Sequence, residues 1–385
     1  MNCRGMVIIV AAWVTAFLTV VGASVLMRSS HEASLGRRSA SRQAAFYMAD
    51  AGIEQAARNL ATPTDAGDDT TTMNLTGGSF TIDAPASVGT LLYQATVHGA
   101  SGSEQRDVEA VFLLTPKSVF QFALFGDQRV NVLGDAITDS YDSRLGAYNV
   151  GGNIGHNGDV GTNATTAGGV TVGGSIFIDG QAAVGAGASN PTSLVTGYNP
   201  AFITGGTSPP SDTQDVVAQS RSFPMPDVTI PGGCTTTLPP LSGGVRTFQT
   251  GTAYCPNGDL TVNGNETLTA SGPGVKIYLS GELKINGNAT VGVASNPSWM
   301  AFLIGATGGA TLEGSISGST DVYAAIYAPN ATIDISGNAK IFGSVIADTV
   351  NITGNAQVHY DEATSTLTDI GNLYTTALKS WRELN

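Results

Sequence analysis

Charge, aromatic rings and cysteine are all scarce in this chain. Of 385 residues, 12% are charged and 7% aromatic, with three cysteines and four histidines. Lys and Arg number 17 against 30 acids, a net charge of −13. That balance leaves no basic groove, so nucleic acid is excluded as a partner. His31, His98, His156 and His359 stand at no metal-ligand spacing and no C-x-x-C occurs, so zinc is not expected. Asp135, Asp139 and Asp142 lie close together, but their spacing is neither that of an EF-hand nor of a nonapeptide calcium repeat. They read as a solvated acidic loop. No G-x-x-x-x-G-K-[ST] loop and no nucleophile elbow is present. No cofactor is expected.

Glycine, by contrast, is abundant, at 49 residues. Between Asp321 and Asp361, short alternating runs such as Thr332-Ile333-Asp334-Ile335 and Val350-Asn351-Ile352-Thr353 each lead into a Gly-Asn pair. Alternation puts one face inside and one outside, and Gly-Asn supplies the left-handed turn that ends the run. The unit recurs upstream, ending at Gly264-Asn265 and Gly287-Asn288. Gly264, Gly287, Gly337 and Gly354 are 23, 50 and 17 residues apart, which reads as a period of 17 with the 50 as about three coils. So short a repeat must stack on its neighbours to bury anything. The expected fold is mainly β: a right-handed parallel β-helix with Asn265, Asn288, Asn338 and Asn355 above one another. Gly-rich residues 150–188 read as its first coils, and residues 189–248, rich in Pro, Ser and Thr, as a loop insertion.

The N-terminus differs. Met6 to Met27 carries no charge over 22 residues, enough as a helix to span about 33 Å. Phe46, Ala49, Ile53, Ala57 and Leu60 then recur at spacings of three and four, extending the helix into an amphipathic segment. Residues 1–60 hold six arginines and three acids, so the acidic excess lies entirely beyond them. Residues 61–78 read as a polar linker. Ser79–Ile82, Leu91–Val97 and Arg106–Leu114 read as antiparallel strands burying Phe80, Leu92, Tyr93, Val97 and Val108 against the helix. If the chain is exported, Cys234 and Cys255, 21 residues apart between Gly and Pro, are expected to form a disulfide.

Several of these stretches resemble known families. Arg4-Gly5 ahead of an uncleaved apolar helix looks like a type IV prepilin signal. Ala45-Phe46-Tyr47-Met48-Ala49-Asp50-Ala51-Gly52-Ile53-Glu54-Gln55-Ala56 resembles the helix of PilX-type minor pilin N-terminal domains, and Tyr93 to Phe112 resembles the strands that follow it there. Tyr327-Ala328-Pro329-Asn330 and Gly343-Ser344-Val345 resemble bactofilin-like, polymer-forming β-helix domains. The resemblance implies processing between Gly5 and Met6 and a single-pass anchor in the inner membrane, with the bulk of the chain outside. It also implies other pilin or pseudopilin subunits as partners, with an extracellular surface or polysaccharide as the target of the displayed domain. Pilins usually carry Glu at the fifth mature position; here that position is Val10, which implies a minor or tip subunit.

The domains expected are therefore a leader and long helix over 1–60, a small sheet over 61–117, a β-helix over 118–362 and a cap over 363–385. In the cap Leu367, Ile370, Tyr374, Leu378, Trp381 and Leu384 fall on one side. A structural, non-enzymatic protein is the first reading. One alternative is a carbohydrate-active β-helix enzyme using Asp334, Asp348 or Asp361, since acid–base cleavage needs two carboxylates from adjacent coils. The other is an anchored scaffold that polymerises by stacking coil ends. An exposed final coil would favour the scaffold, and paired carboxylates in a groove the enzyme.

Overall fold

The structure is a computed structural model that describes residues 3–61, 71–204, 215–305, 312–371 and 373–384. It divides into two compact units, one of Met1–Thr115 with Tyr374–Asn385, the other of Pro116–Leu373.

In the first unit, helix α1 (Cys3–Ala61) runs unbroken. Every side chain from Val10 to Ala40 is exposed. Along the apolar part, Thr15 and Ser24 turn their hydroxyls back to the carbonyls of Ala11 and Val21, at 2.8 and 2.7 Å. A helix that satisfies its own polar groups in this way needs no water around it. It is the one described helix long and apolar enough to cross a membrane. Its last five turns pack on strands β1 (Thr71–Leu75), β2 (Gly78–Ile82), β3 (Ala86–Gly89), β4 (Leu92–Ser101) and β5 (Glu104–Lys117). Antiparallel pairing joins β1 to β2, β2 to β4, β3 to β4 and β4 to β5. The expected linker over 61–78 is thus shorter, since β1 begins at Thr71; residues 62–70 lie outside the described residues.

The helix face that meets this sheet is offset from the expected one. Ala45, Ala49, Gly52 and Ala56 are buried, whereas Phe46, Ile53, Ala57 and Leu60 only flank them. Small residues win because the helix lies close to the sheet. A Cβ on Gly52 would collide with Val97 and Phe80, and one on Gly99 with the Ala45 carbonyl. Of the expected sheet core, Phe80, Val97 and Val108 are buried, and Leu92 and Tyr93 are half-exposed.

The second unit is a stack of parallel coils, each with three faces. One turn reads through residues 321–323, 325–328 and 331–335, and the next begins at Lys340 directly beside Asp321. Inward residues such as Ile326, Ile333, Val345, Val350 and Ile352 are fully buried. Between the third face and the first, the chain turns through a column of glycines. Gly264, Gly287, Gly318, Gly337, Gly354, Gly134 and Gly174 all have φ between +64° and +101°. From Gly264 through Gly134, each accepts, through its carbonyl, the N–H of the residue after the next glycine in the column, at 2.7–2.8 Å. The predicted asparagines do stack, Asn355 Nδ2 reaching Asn338 Oδ1 at 3.1 Å. Gly318-Ser319, Gly134-Asp135 and Gly174-Ser175 continue the column without asparagine. The 50-residue gap is accordingly two coils meeting at Gly318, not three.

The coils do not stack in sequence order. Leu124–Gly134 pairs in parallel with residues 345–352 of the last full coil on one side and with Val160–Thr162 and Val170–Gly174 on the other. The chain therefore enters the stack in its middle and winds to one end, at Val216–Ala218. It then crosses to the opposite end, at Val245–Phe248, and winds back to meet its own first coil. This corrects the expected insertion at 189–248. Val195–Thr196 and Val216–Ala218 are coil strands and Ile203 bridges to Ile178; residues 205–214 lie outside the described residues, and residues 219–244 form the connection.

That connection is a strap laid across the coils. Asn163 exchanges hydrogen bonds with the Phe223 backbone at 2.6 and 2.7 Å, Tyr327 donates to the Pro226 carbonyl at 2.5 Å, and Asn330 donates to Asp227 at 2.6 Å. Beneath it lie Phe125, Leu303, Ala325, Tyr327 and Ile346, so the second face is buried on both sides. Strands buried twice read as continuous apolar runs, as in Met300–Ile304.

The expected C-terminal cap is also corrected. Ile370 and Leu373 are buried under the strap, but the final strand, Leu373–Leu384, neighbours β5 in the small sheet. Arg382 pairs with Glu109 at 2.8 Å, and Trp381 lies 6.0 Å from Phe46, ring to ring. On that strand Leu378 and Trp381 stay exposed.

Candidate functional site

Chemistry-bearing side chains gather where the first face of four adjacent coils points outward. Backbone register aligns Tyr323, Phe342, His359 and Asp139 in one column. Parallel stacking spaces like positions by about 4.8 Å, which suits ring on ring. Tyr323 and Phe342 are stacked at 4.6 Å, and Phe342 and His359 lie 4.9 Å apart. His359 Nδ1 meets Asp139 Oδ1 at 2.6 Å, and both residues are buried. Next to Asp139, Asp179 accepts from His156 at 2.8 Å and from Thr204 at 2.7 Å.

The roof of this column is an excursion between Tyr141 and Val160. Tyr148 lies on the His359 ring at 3.9 Å and donates to Asp139 Oδ2 at 2.6 Å. Burial raises the Tyr148 pKa, and the bond to the Asp139 carboxylate raises it further. Asp142 caps the short helix Ser143–Leu145, and Arg144 holds its carboxyl below the usual range. The expected solvated acidic loop is therefore a correction: Asp139 is buried on histidine and tyrosine, Asp142 is paired with Arg144, and Asp135 belongs to the glycine column. Among the described residues no group of three or more His, Cys, Asp or Glu could hold a metal.

The carboxylates expected for an enzyme do not converge. Asp334 accepts from Asn351, which in turn accepts from Asn131, both at 2.7 Å, in a polar ladder on the outer third face. Asp361 is fully buried and binds the Ser143 backbone and hydroxyl and the Ala363 N–H. Burial raises its pKa, against those three bonds. Asp348 is half-buried beside Thr349, which lines a groove. Its pKa is raised by burial and by neighbouring Asp127, and Asp127, Arg129, Asn163, Thr166 and Thr349 line a groove of about 590 Å³. Asp127 was not singled out in the sequence; nothing local marks it, because adjacency across coils brings it to Asp348.

Cys234 and Cys255 form a disulfide, with Cα atoms 5.9 Å apart, that ties the strap to the end coil. The bridge between Thr235 and Tyr254 lies beside it. Gly5 and Met6 lie in α1. Of the remaining histidines, His31 is exposed on the helix, and His98 sits between Asp107 and Asp83 on the small sheet, at 2.8 and 3.1 Å.

A family model described as a domain of unknown function (DUF7305) matches residues 253–367, the half of the coil stack wound after the crossing. No curated protein matches. Among solved structures, the chain is similar to the competence-associated pilin ComZ from Thermus thermophilus, at 13% identity and a TM-score of 0.28, covering 89% of this chain and 97% of that one. It is also similar to the DUF3494 domain of an ice-binding protein from Shewanella frigidimarina, at 12% identity and a TM-score of 0.31, covering 65% of this chain and 99% of that one. Scores this low leave function to be argued from the chain's own geometry.

Proposed function

We propose that this chain is a membrane-anchored, pilin-like structural protein that displays a β-helix outside the cell, and that it is not an enzyme. One observation carries the reading. A single helix is bare and apolar along its first half and buried on its own sheet along its last five turns. Bare apolar surface such as Trp13 and Phe17, 74% and 68% exposed, demands a lipid or a neighbouring apolar helix. A stem that can pass from the inner membrane into a bundle of like stems is what a pilin subunit requires.

On this reading the leader is removed between Gly5 and Met6, in the manner of PilX-type minor pilins, and the other partners are pilin or pseudopilin subunits. Val10 offers no carboxylate to a neighbour's N-terminal amine, so the chain enters fibres only with other subunits, near a tip. The expected result is loss of Met1–Gly5 from the mature chain by intact mass, blocked by Gly5→Glu, with the cleaved form present in sheared fibres. A full-length chain that stays in the envelope and never enters fibres would sink the proposal.

The bactofilin-like polymerising scaffold is less well supported. Phe248, Tyr254, Leu260 and Val262 in one end coil are buried, and Leu238 packs against the core they belong to. Leu194, Val195, Ile203 and Val216 at the other end are buried too. Covered ends offer no apolar template for another copy. The enzyme reading retains Asp127 and Asp348. Unchanged hydrolysis of a polysaccharide panel by Asp348→Asn would remove it, and lost hydrolysis would revive it.

A further inference from the structure

The excursion that roofs the histidine column also frames an open pocket. Its frame is fully bonded. Asp361 holds Ser143 through backbone and hydroxyl, Asn153 Nδ2 donates to the carbonyls of Asp142 and Gly146 at 2.9 Å, and Gly155 pairs with Ser140. Within that frame lies a space of about 480 Å³ whose lining includes Tyr141, Leu145, Val150, Ile154 and Glu362. This is the size range of small-ligand sites.

Two polar groups in the lining have bonding capacity to spare. Tyr141 is 1% exposed, and its hydroxyl has no hydrogen-bond partner among the described residues. Leaving a buried hydroxyl unpaired is costly, so such groups in native folds call for an explanation. Glu362 receives Ser140 and Asn157 on the same oxygen, Oε1. The walls are aliphatic and bare: Leu145 is 78% and Val150 64% exposed, although neither stands in a strand or core cluster. Exposed aliphatics beside an unsatisfied donor and a carboxylate match a ligand with both C–H faces and hydroxyl groups. A hydroxyl can accept from Tyr141 while donating to Glu362. An amine would serve Glu362 and leave the tyrosine proton unplaced. Asp142 is paired with Arg144, which leaves Glu362 as the carboxylate that disfavours an acidic sugar.

We infer that the cavity under residues 142–155 binds a neutral sugar residue, such as the terminal unit of an extracellular glycan. The inference deepens the display function proposed above, resting on it for the cavity's outside location. Tyr141 and Glu362 supply the hydrogen bonds, and Leu145 and Val150 cover the sugar's apolar face.

The test uses the full chain in a detergent without a sugar headgroup. Titrations with methyl glucoside, methyl galactoside and N-acetylglucosamine are followed by saturation-transfer NMR, with glucuronic acid as the acidic counterpart. At least one neutral probe should bind saturably, with Kd on the order of millimolar, and glucuronic acid should bind at least about tenfold more weakly. Tyr141→Phe should weaken the neutral probe about tenfold without lowering Tm, because it removes an unpaired hydroxyl and keeps the ring. Leu145→Ala, at a position with no role in the core, should weaken it about threefold. The inference is overturned if no neutral probe binds, if glucuronic acid binds equally, or if both variants bind like the parent chain. Leader cleavage and fibre entry do not involve Tyr141, so failure here and failure of the anchoring proposal are read separately.

Discussion

The two units solve the burial problem by different means, and their glycines record the difference. In the small unit one helix covers one face of an antiparallel sheet. Gly52 and Gly99 are needed because two unlike elements approach closely. In the coil stack each layer covers its copy, and glycines recur at one corner with positive φ, the carbonyls from Gly264 through Gly134 capped by the next layer's N–H. A glycine of the first kind protects one contact. One of the second kind protects a register that runs through seven coils, so damage there should spread further.

The largest effect is expected at the seam where the last coil meets the first. Gly354→Val adds a β-branched side chain at φ +78° against the Gly337 carbonyl, and the carbonyl of residue 354 must still receive Asp135. Left-handed strain and overpacking together should cost about 3–5 kcal/mol. Hydrogen exchange should show lost protection in 124–134 and 345–352 with the small sheet intact. Gly264→Ala, at the open end of the column with nothing within 4 Å, should cost only about 1–2 kcal/mol. Equal costs at the two positions would mean that stacking is not what the column protects.

Reduction of Cys234–Cys255 sharpens the comparison from the other end. Closing a loop of this length contributes about 3 kcal/mol. Dithiothreitol should therefore lower the unfolding midpoint of the coil stack, and the small sheet, which has no cross-link among its described residues, should not respond. A shift in both transitions would show one cooperative unit instead of two.

Gly52→Leu reverses the direction. Its side chain would enter the Val97 and Phe80 contact, costing about 1–3 kcal/mol. The expected readout is early loss of exchange protection in β4 and β5 while the coils remain protected.

The smallest expected effect is electrostatic and again confined to the small unit. The hydrogen bond to Asp107 raises the His98 pKa, with Asp83 adding to it and burial opposing. A raised folded pKa means stability present below about pH 6.5 and lost as pH rises through the folded value. The ring is about one-third exposed, its side chain at 32%, and solvent screens it, so the change should stay below about 1 kcal/mol. His98→Gln should flatten the pH dependence of the small sheet near neutrality; an unchanged slope would assign it elsewhere.

Much of this architecture was legible where a rule acts locally. The uncharged run from Met6 to Met27, the alternation before Gly337 and Gly354, and the strands around Phe80 and Val108 follow from neighbours in the chain. The misplaced features all depend on what lies opposite. The helix face shifted to Ala45, Ala49 and Ala56 because only the sheet says how close it comes. Gly318 was missed because Ser319 fills the turn as well as asparagine does. The strap looked like an insertion because its partners, Asn163, Tyr327 and Asn330, lie 60 to 103 residues away.

The candidate site follows the same division. Asp139, His156, Asp179 and His359 are unremarkable in sequence, and Asp139 and His359 are 220 positions apart. They meet only because the first coil slots beside the last. Sequence alone determined which segment is long and apolar enough to cross a membrane, which runs alternate and where most coils turn, since hydrophobic period and glycine conformation act within a few residues. Tertiary structure decided the order of the coils, the path of the strap and the destination of the final strand. Those choices turn on which edges pair and which apolar face is left to cover, and no short stretch of chain contains both partners.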